Sequence, residues 1–246
     1  MPPKILPVRH IVSYGGGVNS TAMILHMIQK EMPIDDIVFI DAGAEFQSTL
    51  NYVHYFESQI DRPISIIKRD EGLYDYCYKR RKIPSLRWRW CTTTFKRRVL
   101  AKWLKQFKGY RTIEYVGFDA GEDSRVSNAL SLCKPRSRRL YSYPLYFAGI
   151  DRDGCKALIA AAGLDVPGKS GCFICPFQTK SKLIEMATTN PVEFQKALQL
   201  EYRHPTKMTI RQGLRLESVI HNDEIDLRHD YEPYIPCACY EGQGDN

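Results

Sequence analysis

Long apolar runs are missing from this chain: its 246 residues nowhere approach the ~18 consecutive apolar side chains of a membrane span. No long apolar core follows Met1-Pro2-Pro3-Lys4, so no secretory leader is expected. Repeats and low-complexity tracts are also absent, which excludes solenoids and long disordered linkers. The glycine cluster near the N-terminus is not followed by Gly-Lys-Ser/Thr and does not spell Gly-x-Gly-x-x-Gly. It is therefore neither a Walker loop nor a dinucleotide fingerprint. His10, His26, His54, His204, His221 and His229 form no spaced pair with a cysteine, and none is assigned as a ligand. Acid is missing from one stretch in particular. From Lys79 to Arg111 there are thirteen Lys/Arg and no Asp or Glu.

What is present is the composition of a folded protein, 43% hydrophobic and 26% charged. The net charge of +7 is local in origin, because outside the basic stretch the chain carries 22 basic and 28 acidic residues. Such a local excess points to a polyanionic partner. The length suits one large α/β domain, or a nucleotide-binding domain with a smaller appendage. A cytoplasmic location is expected, so the eight cysteines are read as thiols or ligands rather than disulfides.

Hydrophobic patterning gives strands at His10–Tyr14, Ile37–Ile40, Ile64–Ile67 and Ile113–Val116. Helices are expected over Thr21–Lys30, about Ser48–Ser58 and about Thr93–Phe107. The alternation implies an α/β, Rossmann-like parallel sheet with helices on both faces, and ligands then bind beyond the carboxyl ends of the strands. The second half reads as a helical, cysteine-bearing appendage. Asp151–Ala162 is helical with Gly163 as its stop, and Asn190-Pro191 opens a helix to about Leu200. The division expected is 1–145 for the nucleotide-binding domain and 146–246 for the helical C-terminal region.

Between the first strand and first helix lies Ser13-Tyr14-Gly15-Gly16-Gly17-Val18-Asn19-Ser20-Thr21. Glycines let backbone approach an anion, and a helix start presents N–H groups and a positive dipole end. The segment resembles the pyrophosphate-binding loop of the adenine nucleotide α-hydrolases, Ser-Gly-Gly-x-Asp-Ser, with Gly15 in place of the first Ser and Asn19 in place of the Asp. Three further segments resemble the phosphoadenylyl-sulfate reductase branch. Asp41-Ala42-Gly43-Ala44-Glu45 is similar to Asp-Thr-Gly-x-Glu, and Trp90-Cys91-Thr92 with Phe95-Lys96 is similar to Trp-Cys-Thr-x-x-Leu-Lys. Gly117 to Arg125 is similar to Gly-x-Arg-x-x-Glu-Ser-x-Arg, with one extra residue before the Ser. Cys172-Phe173-Ile174-Cys175-Pro176 resembles the Cys-x-x-Cys-Pro of members that activate sulfur transfer.

The resemblance implies a pyrophosphate-loop ATP pyrophosphatase that forms AMP and pyrophosphate, with Mg²⁺. Ser13, Gly15, Gly16, Gly17, Asn19, Ser20 and Gly117 would bind the nucleotide, and Asp41 and Glu45 would position nucleotide or metal. Lys96, Arg125 and Cys91 would be the catalytic residues, Lys96 and Arg125 stabilising phosphate charge. Asp41 also reads as a turn residue at a strand end, and Glu122 as an i,i+3 partner of Arg125.

Cys172-x-x-Cys175 and Cys237-Ala238-Cys239 have the spacing of metal-ligand or redox pairs. Four thiolates would hold structural Zn²⁺. Alternatively Cys91, Cys172 and Cys175 would hold an iron–sulfur cluster, as in some sulfur-transfer members, or a low-pKa thiol would carry persulfide. Spacing leaves these three open. Cys77, Cys133 and Cys155 read as packing residues.

The basic stretch interleaves Arg87-Trp88-Arg89-Trp90 with Lys79–Lys82 and Lys96–Arg98, and Arg136, Arg138 and Arg139 extend it. Basic side chains interleaved with Trp suit phosphate contacts and stacking on unpaired bases, so DNA or tRNA is the expected acceptor. Trp103 and Phe107, four residues apart, are expected to face the core. Three functions remain open: an ATP pyrophosphatase activating a nucleic acid for sulfur transfer, fed by a donor such as a cysteine desulfurase; a phosphoadenylyl-sulfate reductase; and a non-catalytic nucleotide and nucleic-acid binder with a metal knot. The tail, Pro236-Cys237-Ala238-Cys239-Tyr240, departs from the reductases' Glu-Cys-Gly-x-His.

Overall fold

The computed structural model describes residues 6–131, 137–206 and 208–221. Cys133, Arg136, His229, Cys237 and Cys239 lie outside the described residues. Five strands form one all-parallel sheet: β1 (Val8–Tyr14), β2 (Asp36–Asp41), β3 (Ile64–Lys68), β4 (Arg111–Val116) and β5 (Arg139–Ser142). Their order is β3-β2-β1-β4-β5. The chain builds outward from β1 to β3, then crosses back to place β4 on the other side of β1. The carboxyl ends of β1 and β4 therefore flank the switch point, where an open α/β sheet leaves its crevice.

Side-chain alternation explains why both faces are covered. Val12, Tyr14, Ile37 and Phe39 face helices α1 (Val18–Gln29) and α2 (Gln47–Ile60), meeting Met23, Met27, Val53 and Phe56 in one buried cluster. Ile11, Val38 and Ile40 point the other way, toward Leu100, Trp103 and Phe107. Each fully buried Ile, Met or Phe contributes roughly 1.5–3 kcal/mol, so these two interlayers carry the sheet. Trp103 and Phe107 do pack inward, edge to face at 5.0 Å.

Four of the strands are legible in the pattern. The fifth, β5, is a four-residue edge strand with two arginines nearby and no apolar alternation; it is held by register with β4, from Thr112 opposite Arg139 to Tyr115 opposite Ser142. Helix α3 (Leu73–Arg80) also goes beyond the sequence reading, because its tyrosines carry little periodic contrast. The expected helix from Thr93 to Phe107 is real but irregular. It begins as α4 (Trp90–Thr92), passes through a π-turn over Thr93–Arg97, continues as α5 (Arg98–Leu104) and tightens into a 3₁₀ turn over Lys105–Phe107. Helix α6 (Asp123–Ser131) follows β4 and packs Val126 and Ala129 on Phe118 and Tyr143.

After β5 come α7 (Pro144–Phe147) and α8 (Arg152–Ala161). Asp151 caps α8, its carboxylate accepting the Gly154 N–H at 2.8 Å. Gly163 ends the segment in the left-handed region. Leu145, Cys155 and Ile159 lie in the same cluster as α1, so α8 is part of the sheet's covering layer. Helices α9 (Lys180–Thr189), α10 (Pro191–Arg203) and α11 (Leu216–Ile220) then enclose a second core around Leu183, Leu198 and Leu216. Pro191 stands at the first turn of α10 as expected, but Asn190 makes no side-chain cap bond. No described helix is long and apolar enough to cross a membrane.

Candidate nucleotide and thiol site

The glycine loop sits where the topology asks for a ligand. Gly17 precedes α1 with no side-chain cap, and no acidic residue occupies the first turn of that helix. Ser20 braces the loop from within: its hydroxyl accepts the Gly15 N–H at 3.1 Å and donates to the Gly17 carbonyl at 3.1 Å. Gly16 has φ +67°, and a Cβ there would come within 2.9 Å of Thr49. Gly117, at the end of β4, lies so close that a Cβ would sit 3.0 Å from Ser20 backbone. Ser13 points elsewhere in part, donating to the buried Glu114 carboxylate at 2.6 Å. Arg139 pairs with that same carboxylate, tying β1, β4 and β5 together.

Asn19 is the centre of a polar knot. Its amide donates to Asp119 at 2.7 Å and Glu122 at 3.2 Å, while its carbonyl accepts Arg152 at 2.6 Å. An Asp at this position would lose both donations and face two carboxylates, which gives a physical reason for the amide. Glu122 also pairs with Arg125, whose guanidinium lies 4.1 Å over the Phe118 ring. A cavity of about 530 Å³ is lined by Gly15, Gly17, Ser20, Gly117, Arg125 and Arg152 together with Lys169, Ser170 and Lys182.

A second cavity, of about 300 Å³, opens at the ends of β1 and β2. Tyr14, Phe39, Ala42 and Leu73 form its apolar side, and Glu45, Lys96, Cys91, Cys172 and Cys175 its reactive side. Two backbone links set this arrangement. Glu45 pairs with Cys172 in an isolated antiparallel bridge, and the Phe173 N–H donates to the Ala44 carbonyl at 2.9 Å. The Glu45 carboxylate then receives the Cys172 thiol at 3.4 Å and the Lys96 ammonium at 3.4 Å. Burial pushes the Cys172 thiol well up, with Glu45 adding to the effect and Lys96 opposing it. Burial also raises Cys91, against hydrogen bonds from Thr92 and the nearby Lys96. Asp41 is spent locally, accepting the Gly43 N–H at 2.8 Å as a turn residue.

The structure thus brings together Cys91, Cys172 and Cys175 from segments far apart in sequence, and sets Lys96 against Glu45 beside them. Among the described residues, no three His, Cys, Asp or Glu side chains are gathered tightly enough to hold a metal ion. Cys77 and Cys155 are buried packing residues. Sequence reasoning passed over Lys169, Ser170, Lys182 and Arg152. The available signal was the tripeptide Gly168-Lys169-Ser170, which carries phosphate-binding chemistry but stands far from the glycine loop along the chain.

Residues 9–114 match the phosphoadenosine phosphosulfate reductase domain. That match covers less than half of the chain. The matched stretch runs from β1 into β4 and includes the glycine loop, Glu45, Cys91 and Lys96. Two uncharacterized proteins of Methanocaldococcus jannaschii are similar to the chain. MJ0973 is 30% identical over 102 residues, 42% of this chain and 24% of its own length. MJ0066 is 28% identical over 172 residues, 59% of this chain and 35% of its own length. The chain therefore spans about a quarter to a third of the curated relatives it matches. Among solved structures, phosphoadenylyl-sulfate reductase from Candida auris, in a phosphate complex, aligns with a TM-score of 0.49 at 18% identity, covering 67% of this chain and 81% of that one. The U34-tRNA thiolase NcsA from Methanococcus maripaludis, with its [4Fe-4S] cluster, aligns with a TM-score of 0.48 at 17% identity, covering 98% and 82%.

Proposed function

We propose that this protein binds ATP across the switch point of its sheet, cleaves it to AMP and pyrophosphate, and so activates a nucleic-acid acceptor for sulfur transfer. The observation that carries the reading is the shared cavity: three thiols, Lys96 and Glu45 line one space next to the glycine loop. A nucleotide-cleaving centre alone needs anion contacts and cations, not three thiols. A packing role alone does not explain thiols that line a cavity around an ion pair.

Tyr14, Phe39 and Ala42 offer an apolar slot for the adenine, and the glycine loop and the α1 N-terminus face the phosphates. Three thiol donors suit an iron–sulfur cluster better than tetrahedral Zn²⁺, which takes four protein ligands in structural sites. A cluster also distributes its thiolates over several irons, so they need not crowd together as the ligands of one ion do. Cys91, Cys172 and Cys175 would hold that cluster, which would supply an iron to carry sulfide. Lys96, 3.4 Å from Glu45, keeps positive charge at the wall where thiolates would form. Mg²⁺ would accompany the triphosphate.

The basic stretch supplies the acceptor's dock. Trp88 is 76% exposed, with Arg87, Arg81 and Lys82 also at the surface. Arg89 instead turns inward over Phe177 at 4.8 Å, at the cavity wall. The dock and the thiols are thereby joined through consecutive residues.

The test is the fate of ATP. Labelled ATP, Mg²⁺, sulfide and single-stranded RNA or DNA should give AMP and pyrophosphate in equal amounts, with turnover lost in Lys96→Ala. Release of ADP and phosphate would overturn the reading. Sulfite formed from phosphoadenylyl sulfate with thioredoxin would establish the reductase reading instead, which the domain match favours.

A further inference from the structure

The glycine loop is closed from the far side by a segment that lies distant in sequence. Gly168-Lys169-Ser170-Gly171 packs over it so closely that a Cβ on Gly17 would meet the Ser170 hydroxyl at 2.5 Å. Lys182, in the first turn of α9, brings its amine within hydrogen-bonding reach of the Lys169 amine. Arg152 reaches the same space from the start of α8, anchored on Asn19. Lys169, Ser170, Lys182 and Arg152 all line the cavity that holds Gly15, Gly17 and Ser20.

This placement concentrates like charge beside an uncapped helix start. Residue Lys169 is solvent-exposed as a whole, yet its amine is desolvated at the cavity wall and crowded by Lys182, which pulls its pKa down to about 8; nearby Cys175 opposes the shift and Arg152 adds to it. Two ammoniums and a guanidinium repel one another, and an anion seated among them converts repulsion into attraction. Lys96 and Arg125 stand against carboxylates at contact, Glu45 and Glu122 respectively, so their charge is largely compensated.

We propose that Lys169, Ser170 and Lys182, with Arg152, form the second half of the anion site and hold the terminal phosphates of a nucleoside triphosphate against the glycine loop. The inference rests on the nucleotide reading above and names the residues that neutralise the polyphosphate within it. The site is a phosphate loop in two pieces: Gly15–Ser20 supplies backbone donors and a dipole, and Gly168–Gly171 with Lys182 supplies cations and a hydroxyl. Lys169 and Lys182 also line the adjoining cavity of about 660 Å³ that bears Cys172 and Cys175, so the anion sits at the wall between phosphate chemistry and the thiols.

Calorimetric titration of the whole chain with inorganic pyrophosphate, and separately with AMP, tests this. Lys169→Met with Lys182→Met should weaken pyrophosphate by about tenfold or more per lysine and flatten its salt dependence, while AMP affinity changes by no more than about threefold. Lys182→Arg should restore most of the pyrophosphate affinity. A folded double variant that binds pyrophosphate within about twofold of the parent would overturn the proposal. If the double variant does not fold, Lys182→Gln alone, at a half-buried helix position, carries the same thresholds. A parent protein that binds neither AMP nor pyrophosphate would overturn the nucleotide reading itself, and this proposal with it.

Discussion

Asn19 illustrates how much a single side chain of the site depends on its surroundings. In a loop read alone, an amide where the resembled Ser-Gly-Gly-x-Asp-Ser pattern has a carboxylate looks like a loss. In the fold it is the donor that satisfies Asp119 and Glu122 and the acceptor for Arg152. Lys169 makes the converse point. Its neighbours Gly168 and Ser170 carry the chemistry in plain view, but nothing local tells which loop a Gly-Lys-Ser tripeptide will face. Its lowered pKa yields a prediction at this scale. At pH 8 the Lys169 amine is about half uncharged, and a bound polyphosphate would raise its pKa toward the ordinary 10.5. Relative to Lys169→Met, which subtracts the protons the ligand itself exchanges, pyrophosphate binding to the parent should then take up a further fraction of a proton at pH 8 and almost none at pH 6, where the amine is already charged. Calorimetry of both proteins in buffers of different ionisation enthalpy reads this difference, and equal proton uptake by the two at pH 8 would contradict the placement.

Elements are legible wherever a face is strongly apolar. β1, β2, α1 and α2 follow from periodicity because their buried residues recur at intervals of two or of three and four. β5 and α3 do not, since one is a short edge strand with charged residues and the other a helix of tyrosines. The π-turn after Cys91 is equally invisible in the pattern, though such turns often mark functional positions, and here it falls on Lys96. The close contact of β4 with α1 gives the test at this scale. Gly117→Ala puts a methyl 3.0 Å from the Ser20 backbone and must push the strand end from the loop. The expected result is a loss of about 1–3 kcal/mol in chemical denaturation, together with weakened AMP binding. Retention of both would mean that the loop and β4 are not a rigid unit.

Across the whole molecule the net charge of +7 resolves into regions with separate work. Nine of the thirteen Lys/Arg from Lys79 to Arg111 are exposed, including Arg87, Arg98 and Lys102, and this surface adjoins the thiol cavity through Arg89 and Phe177. Arg80 is partly engaged, contacting Glu71 and lying 3.9 Å over Tyr76, so it serves the fold as well. Replacing Arg87, Arg98 and Lys102 by Gln should weaken nucleic-acid binding and lower the salt slope by roughly two to three, leaving AMP binding intact. An unchanged slope would return the stretch to the role of a solvated face. The ordered motifs make the nucleotide half of the molecule readable in advance, whereas the gathering of Cys91 with Cys172 and Cys175, and the closure of the glycine loop by Gly168–Gly171, depend on how the second core docks against the sheet.

The central claim joins ATP cleavage to sulfur transfer, and one reaction tests both. Anaerobically prepared protein, given ATP, Mg²⁺, sulfide and a single-stranded nucleic acid, is assayed for AMP and, by mass spectrometry, for thiolated nucleotides in the same sample. The account predicts AMP and thionucleotide rising together, with both abolished by Cys172→Ser. AMP accumulating with no sulfur in the nucleic acid, or thiolation proceeding without ATP, would contradict it.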